Sequence, residues 1–441
     1  MLSRRTSAMH RTRRIAATLV TGALTVSLAA CSVDEGADDG GDSGGKDRQE
    51  ISFLTFETPN LTPEYWDAAI GRVEKKYPDI KVKKLVAPTT DRTAYAKQLL
   101  ASGQFPDVMI AVAPTGLGDA GNLYSWKPAE LKDFTVPDGG AIDGNVYQLP
   151  ANTQSIPGVY YRKSMFQEAG IAAPPKTYDE LLDASAKLKA KGIQPFVVGG
   201  GKDAFPTVLP LTGIVGTDVY KTTPDWMVQR RAGKVKFTDP AFVGALTKLQ
   251  KLAQEGYIDK KMVSLDYAAT EQAFLKGKGA MYPMGCWFAA AADKSELKDD
   301  IGVFNWPTDD GSVLSAGYTG GGLSVNAKSR HLDAAKKFAL AFQLDKSNLD
   351  NSVKSDALYP AIKGYTPPAD TGPVYQASYD LWQASAQQNA TVKAFAWETG
   401  DDALLPGLDA KVHASAQDVI LGRKSPQEAA EFLDAEWEKA S

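Results

Sequence analysis

The feature that most constrains the fold is an alternation of short apolar strands and amphipathic helices that begins at residue 51. Thr62 followed by Pro63 is a typical helix start, and Pro78 ends that helix. An uncharged apolar run such as 108–112 is expected of a strand buried on both faces of a parallel sheet. The pattern predicts strands at 51–56, 80–86 and 108–112 and helices at 63–77 and 93–101. This β-α-β-α-β order indicates an α/β lobe with a mostly parallel sheet.

The alternation resumes after Pro150. Strands are predicted at 159–161, 195–198 and 279–284, and helices at 164–169, 177–189, 240–253 and 266–276. The 441 residues leave room for two or three lobes, at roughly 100–200 residues per domain. Glycine runs at 199–201 and 320–322 lack the Gly-Lys-Ser/Thr and dinucleotide-binding patterns, so they are interpreted as turns.

The first fifty residues are predicted to be an export signal and a tether. Five arginines precede Ile15 to Ala30, an uncharged run of 16 residues that is shorter than the roughly 20 of a membrane span. The run ends in Leu28-Ala29-Ala30-Cys31, which resembles the lipobox of bacterial lipoproteins, where the signal is cleaved before a cysteine that receives a diacylglycerol. We therefore expect a signal peptide at 1–30 and lipidation at Cys31. An ordinary signal peptide with an incidental cysteine is the alternative.

The segment 31–49 is predicted to be a disordered acidic tether. Residues 33–49 hold six acids and five glycines, a composition that cannot bury enough apolar area to fold. As a flexible coil it would span on the order of 20–25 Å, which suits a body held near a membrane. The arginine pairs fit the twin-arginine export pattern weakly, so the Sec and Tat routes both remain open.

Composition argues against several classes of function. Without residues 1–30 the chain carries 44 Lys and Arg against 53 Asp and Glu, which disfavours binding to nucleic acid. Two cysteines and three histidines give no recognisable zinc pattern. His331 and His413 lie in polar helical stretches, where a catalytic base is not expected. We predict no metal, no cofactor and no catalytic residue.

Five short motifs resemble, in order, those of the extracellular solute-binding proteins of carbohydrate ABC importers (family 1, maltodextrin-binding-protein-like). Any one of them is weak, but their shared order is specific, and the resemblance covers about residues 50–440. The motifs are Ser-Gly-Gln-Phe-Pro-Asp-Val at 102–108, Tyr-Gln-Leu-Pro at 147–150 with Gly-Val-Tyr-Tyr-Arg-Lys at 158–163, Pro-Lys-Thr-Tyr-Asp-Glu-Leu at 175–181, Phe-Leu-Lys-Gly-Lys-Gly-Ala-Met at 274–281 and Gly-Cys-Trp at 285–287.

The resemblance implies an α/β fold of the type II periplasmic-binding-protein kind, in which two lobes are joined by crossing hinge segments and enclose a ligand cleft. It places the crossings near 151–155, 310–320 and 358–363. The N-lobe is then expected at 50–150 plus 320–358, and the C-lobe at 156–310 plus 363–441. The implied function is capture of a sugar or oligosaccharide by a monomer, lipid-anchored at the outer face of the cell membrane, for delivery to the permease subunits of an ABC importer.

Trp287 is the first candidate for ligand contact, because the resemblance places a tryptophan there beneath a sugar ring. An indole offers flat apolar area that matches the C–H face of a pyranose. Gln154 and its neighbour Asn152 are expected to face the cleft, where amides match the donors and acceptors of hydroxyl groups. The remaining candidates are Phe56 and Glu57 at the end of the first strand, Tyr318 before a glycine run, Phe205 in a loop, and Trp397. Packing in the core or the hinge is the alternative for each.

Two other classes of function stay open at this stage. An extracellular glycosidase would need two carboxylates in a cleft, and no motif among the 53 acids identifies such a pair. A binder of another solute, such as a polyamine or a chelated metal, would need a different cleft from one that is aromatic and amide-rich with one acid, Glu57. Tyr160 and Tyr161 could suggest iron binding, but they match the family's crossing strand.

Overall fold

The computed structural model describes residues 48–88, 91–202, 204–394 and 400–440. Its strands are β1 (Gln49–Thr55), β2 (Ile80–Val86), β3 (Val108–Ile110), β4 (Asn152–Ser155), β5 (Gly158–Arg162), β6 (Met281–Met284), β7 (Ile301–Asn305), β8 (Ser315–Gly320), β9 (Leu323–Val325), β10 (Tyr359–Pro360) and β11 (Thr391–Val392). Its α-helices are α1 (Pro63–Lys76), α2 (Arg92–Ala101), α3 (Lys163–Glu168), α4 (Tyr178–Ala190), α5 (Phe205–Val215), α6 (Trp226–Arg231), α7 (Pro240–Gln254), α8 (Tyr267–Leu275), α9 (Phe288–Lys294), α10 (Leu332–Leu344), α11 (Lys346–Asp356), α12 (Pro373–Gln387), α13 (Leu408–Leu421) and α14 (Pro426–Ala440).

The first sheet has the strand order β2-β1-β3-β9. β1 runs parallel to β2 and β3, and β9 closes the sheet antiparallel to β3. The predicted parallel α/β unit is therefore confirmed. The Asp107 carboxylate fixes its geometry from the turn before β3, because it accepts hydrogen bonds from the Ser52 backbone N–H at 2.8 Å and from the Ser329 hydroxyl at 2.6 Å.

A second sheet, called the crossing sheet below, joins four separate passages of the chain, in the order β10-β4-β8-β11. β4 is antiparallel to both β10 and β8, and β11 runs parallel to β8. Three of these strands fall within or next to the segments where the sequence predicts the chain to cross. Because these three strands hydrogen-bond within one sheet, they form one connected unit rather than three independent linkers.

The third sheet, β6-β5-β7, differs from a simple parallel arrangement. β5 runs antiparallel to both neighbours, so β6 and β7 are parallel to each other. The predicted strand at 195–198 is present only as isolated bridges from Phe196 to Ile258 and Met281. An apolar run can be buried beside a sheet without forming a full ladder, and periodicity alone does not distinguish the two.

Buried side chains of the described residues form separate cores. One core combines residues of β1, α1, β2 and β3 with β9 and α10, and a small cluster that includes Leu54 and Met109 lies on the same sheet. The largest core is drawn from residues 156–437. The chain therefore leaves the first core after residue 151 and returns to it at β9.

Candidate functional site

Trp287 lies at the start of α9, two residues after the Gly285 that follows β6. Its indole folds back over the chain, so that a Cβ built at Gly285 would lie 2.2 Å from Cζ3 of Trp287. The Phe205 ring stacks beside it, with ring centroids 6.3 Å apart and 27° between the planes. Trp287 is half-buried. Two predicted site residues thus form one aromatic pair, with part of Trp287 left exposed.

Phe205 does not lie in a loop, as the sequence suggested, but is the first residue of α5. Pro206 is tolerated there because the first turn of a helix needs no N–H from it. All the remaining residues of α5, from Pro206 to Val215, are buried, so the segment lacks the amphipathic period that would have identified a helix. The His413 ring packs edge-on against Phe205 at a centroid distance of 5.9 Å.

Asn60, which the sequence did not identify, connects the loop between β1 and α1 to the aromatic pair. Its Nδ2 donates to the Trp287 carbonyl oxygen at 3.1 Å, across 227 residues of sequence. Asn60 is buried. Its local sequence, in a turn of Thr, Pro and Asn, predicts only a loop residue, so no signal in the chain points to this long-range contact.

Three further candidates share one face of the crossing sheet. Asn152 and Gln154 alternate along β4, opposite Gly320 and Tyr318 of β8. The Oδ1 atom of Asn152 is buried and has no hydrogen-bond partner among the described residues. A Cβ at Gly321 would lie 2.7 Å from the Gln154 Nε2 atom, so the amide lies against the glycine turn that follows β8. This face carries the two amides and the Tyr318 hydroxyl, and their contact with a ligand stays a prediction.

The crossing sheet leads directly to the aromatic pair. The Ser155 carbonyl at the end of β4 accepts a hydrogen bond of 2.9 Å from the backbone N–H of Cys286, the residue before Trp287. Cys286 is 1% exposed and packs in the largest core, as expected for a small apolar side chain. Burial raises the pKa of the Cys286 thiol to about 12, so this sulfur is not a reactive thiolate.

Phe56 follows β1 and is covered by a cation. Cζ of Arg92 lies 4.2 Å from the Phe56 ring centroid, and Arg92 Nε donates to the Ala111 carbonyl at 2.8 Å. Ala111, just after β3, has a φ of 50°, a left-handed conformation that non-glycine residues seldom adopt. Glu57 is exposed. The carboxyl ends of β1 and β3 thus meet at Arg92, a residue that the sequence did not single out.

Two carboxyl groups near Trp287, one buried and one half-buried, also escaped prediction. Asp356 ends α11, and its carboxyl group lies beside the Asn60 side chain. Glu271 on α8 is 2% exposed, and its Oε2 has no hydrogen-bond partner among the described residues. Burial raises the pKa of each carboxyl to about 7. The Tyr267 hydroxyl, one turn before Glu271, lies beside the Trp287 side chain, so Glu271 is close to the aromatic pair.

Other predictions fall outside this arrangement. Trp397 and Cys31 lie outside the described residues. An open groove of 490 Å³ is lined by residues of 161–174 and includes none of the candidates. In the ranges that the structure describes, no helix has both the length and the apolar character needed to cross a membrane.

The fold defines the class of protein. Over 89% of this chain and 99% of the other, the structure matches a chitin oligosaccharide binding protein with a TM-score of 0.78 and 25% sequence identity. The architecture is the type II periplasmic-binding-protein fold, in which two α/β lobes are joined by crossing hinge segments with a ligand cleft between them. The fold class predicted from the sequence is confirmed.

Residues 58–348 match the family model of the bacterial extracellular solute-binding proteins, and the chain belongs to that family. It is 27% identical over 336 residues to the multiple sugar-binding protein of Streptococcus mutans, covering 72% of this chain and 76% of the relative. It is 28% identical over 357 residues to the diacetylchitobiose binding protein DasA of Streptomyces coelicolor, covering 76% of this chain and 79% of the relative. The resemblance drawn from the five motifs is confirmed.

Proposed function

We propose that this protein captures a sugar or oligosaccharide outside the cell and delivers it, as a monomer, to the permease subunits of an ABC importer. The observation that carries the proposal is the Trp287–Phe205 pair, linked through Ser155 and Cys286 to the face that bears Gln154 and Tyr318. A sugar ring has an apolar face that stacks on aromatic rings and hydroxyl groups that both donate and accept hydrogen bonds. Relatives named for binding sugars and diacetylchitobiose support the same ligand class.

We assign residues 50–150 plus 320–358 to the N-lobe and 156–310 plus 363–441 to the C-lobe. The two separate cores, one drawn from β1, β2, β3, β9 and α10 and the other from residues 156–437, support this division. α11 touches both cores, because the Asn348 amide near its start donates to the Phe342 carbonyl at 3.0 Å, whereas Val353 and Ala357 pack in the largest core. In this arrangement the ligand stacks against Trp287 and Phe205. Its other proposed contacts are Phe56, Glu57, Asn152, Gln154, Tyr318 and Trp397.

Binding without hydrolysis is the activity that we propose. Asp356 and Glu271 both have a raised pKa, which is a property of catalytic acids. Glu271 is only 2% exposed, however, and the Asp356 carboxyl lies beside the Asn60 side chain. Neither carboxyl is therefore placed to donate a proton to a glycosidic oxygen of a bound ligand.

A panel of mono- and oligosaccharides, with a polyamine and a chelated metal included, tests the proposal by thermal shift. The correct sugar at about 100 times its Kd should stabilise the protein by about 2.7 kcal/mol. Chromatography of the same mixtures should show the sugars intact. A shift with the polyamine or the chelated metal alone, or the release of shorter sugars, would contradict the proposal.

We further propose that Cys31 carries the lipid that holds the protein at the outer face of the cell membrane. Cys31→Ser should move the protein from the membrane fraction to the medium, because one cysteine bears the whole anchor. Metabolic labelling with a fatty acid should mark the wild type and not the variant. A Cys31→Ser protein that stays in the membrane fraction, together with an unlabelled wild type, would show that Cys31 carries no lipid anchor.

A further inference from the structure

Gly285 lies directly beneath the indole of Trp287. A Cβ at this position would lie 2.2, 2.3 and 2.6 Å from Cζ3, Cη2 and Cε3 of the ring. Gly285 is absent from the glycines with positive φ, so an alanine could adopt its backbone conformation without strain. A glycine is therefore needed at position 285 because of the ring above it and not because of the backbone conformation.

The pose of Trp287 is also fixed at two other places. Phe205 lies beside the ring at an interplanar angle of 27°, and the Asn60 amide holds the Trp287 carbonyl oxygen at 3.1 Å. With Gly285 beneath the benzene part of the indole, the ring can lie flat across the chain. A side chain at 285 would push that edge away from the backbone while the carbonyl stays bound.

We propose that Gly285 is a positioning residue for ligand binding, because its missing side chain sets which face of Trp287 is presented to the ligand. This inference rests on the proposed function, in which Trp287 contacts a sugar. Stacking on a sugar depends on the plane of the ring, so a tilt of the indole should weaken binding even though every aromatic atom is still present.

A double-mutant cycle tests the proposal, with the sugar identified in the panel and calorimetric titration. Gly285→Ala should raise the Kd at least about tenfold in the wild type. In the Trp287→Ala background the same substitution should change the Kd by less than about twofold, since no ring remains to be displaced. Equal effects in both backgrounds, or an unchanged Kd in Gly285→Ala alone, would overturn the proposal.

Two glycines provide matched controls. A Cβ at Gly213 would lie 2.6 Å from Cδ2 and Cγ of Trp306, a core tryptophan that is 4% exposed. Gly213→Ala should therefore lower the urea midpoint and leave the Kd of the folded protein unchanged. A Cβ at Gly244 in α7 meets nothing within 4 Å, so Gly244→Ala should leave the Kd unchanged and raise the urea midpoint slightly, because alanine is more stable than glycine inside a helix.

Urea unfolding of the four proteins of the double-mutant cycle (the wild type, Gly285→Ala, Trp287→Ala and the double variant) separates this inference from the proposed function. If Gly285 touches the indole, the two substitutions should be non-additive in the free energy of unfolding, with or without a ligand. Coupled unfolding in a protein that binds no sugar would overturn the proposed function alone. Additive unfolding would overturn the role of Gly285, whatever the protein binds.

Discussion

Trp287→Ala is expected to raise the Kd for the bound sugar at least about thirtyfold while the protein still unfolds cooperatively. An aromatic anchor in a closed site commonly contributes about 2 kcal/mol or more on truncation, and about 1.4 kcal/mol corresponds to a tenfold change in Kd. Trp287 is half-buried, and its ring packs on Gly285 and Phe205, so its removal should leave the largest core in place. Calorimetric titration and urea unfolding of the one variant measure both quantities.

Trp226→Ala is the matched control for this experiment. Trp226 is 3% exposed and stacks on Phe242 with ring centroids 5.5 Å apart, within the largest core. Its truncation should cost about 3–5 kcal/mol of stability and leave sugar affinity unchanged in the folded fraction. If Trp287→Ala instead behaved as Trp226→Ala should, Trp287 would be a packing residue, and Phe205 or Tyr318 would become the candidate platform.

Glu271→Gln is expected to stabilise the protein above pH 7 and to weaken the pH dependence of its stability. Burial raises the pKa of Glu271 from 4.5 to about 7, so the folded protein keeps a proton that the unfolded chain has lost. Stability from this group is therefore complete below about pH 4 and is lost as the pH rises through about 7. The loss at pH 8 amounts to about 3 kcal/mol as an order of magnitude, which the neutral amide avoids.

Urea unfolding at pH 5 and pH 8 measures this effect. The advantage of Glu271→Gln over the wild type should be larger at pH 8 than at pH 5, and some pH dependence should remain because the pKa of Asp356 is raised as well. Glu296→Gln, which changes an exposed glutamate, should leave both midpoints unchanged. A Glu271→Gln protein that is less stable than the wild type at pH 8 would show that the ionised carboxylate has a partner that stabilises it.

The elements predicted well are those whose local patterns are strong. Thr62 and Pro63 at the start of α1, and the apolar runs of β1 and β3, made the first parallel unit readable from sequence. The antiparallel course of β5 was not predicted, because strand direction follows from the path of the whole chain. α5 was missed because a helix buried on all sides, with Pro210 inside it, shows neither amphipathic period nor clear boundaries.

Site residues could be predicted from the sequence only where they lie in or next to a motif that resembles the family. Trp287 and Gln154 came from the resemblance, and the structure puts both beside other predicted residues. Asn60, Arg92, Asp356 and Glu271 could not be identified from the sequence, because their roles depend on contacts between distant parts of the chain. An acid on a helix looks the same in sequence whether it is exposed or, like Glu271, 2% exposed.

The return of the chain to its first sheet has a consequence for biogenesis. Ile110 pairs with Leu323, and the helix that covers this core, α10, ends only at Leu344. A ribosome must therefore synthesise most of the polypeptide before the first core can close, and pairing at such a separation is slow because loop-closure entropy opposes it. The nascent chain accordingly stays open for a long interval. An open chain is the form that a protein-conducting channel accepts and that chaperones must meanwhile protect from aggregation.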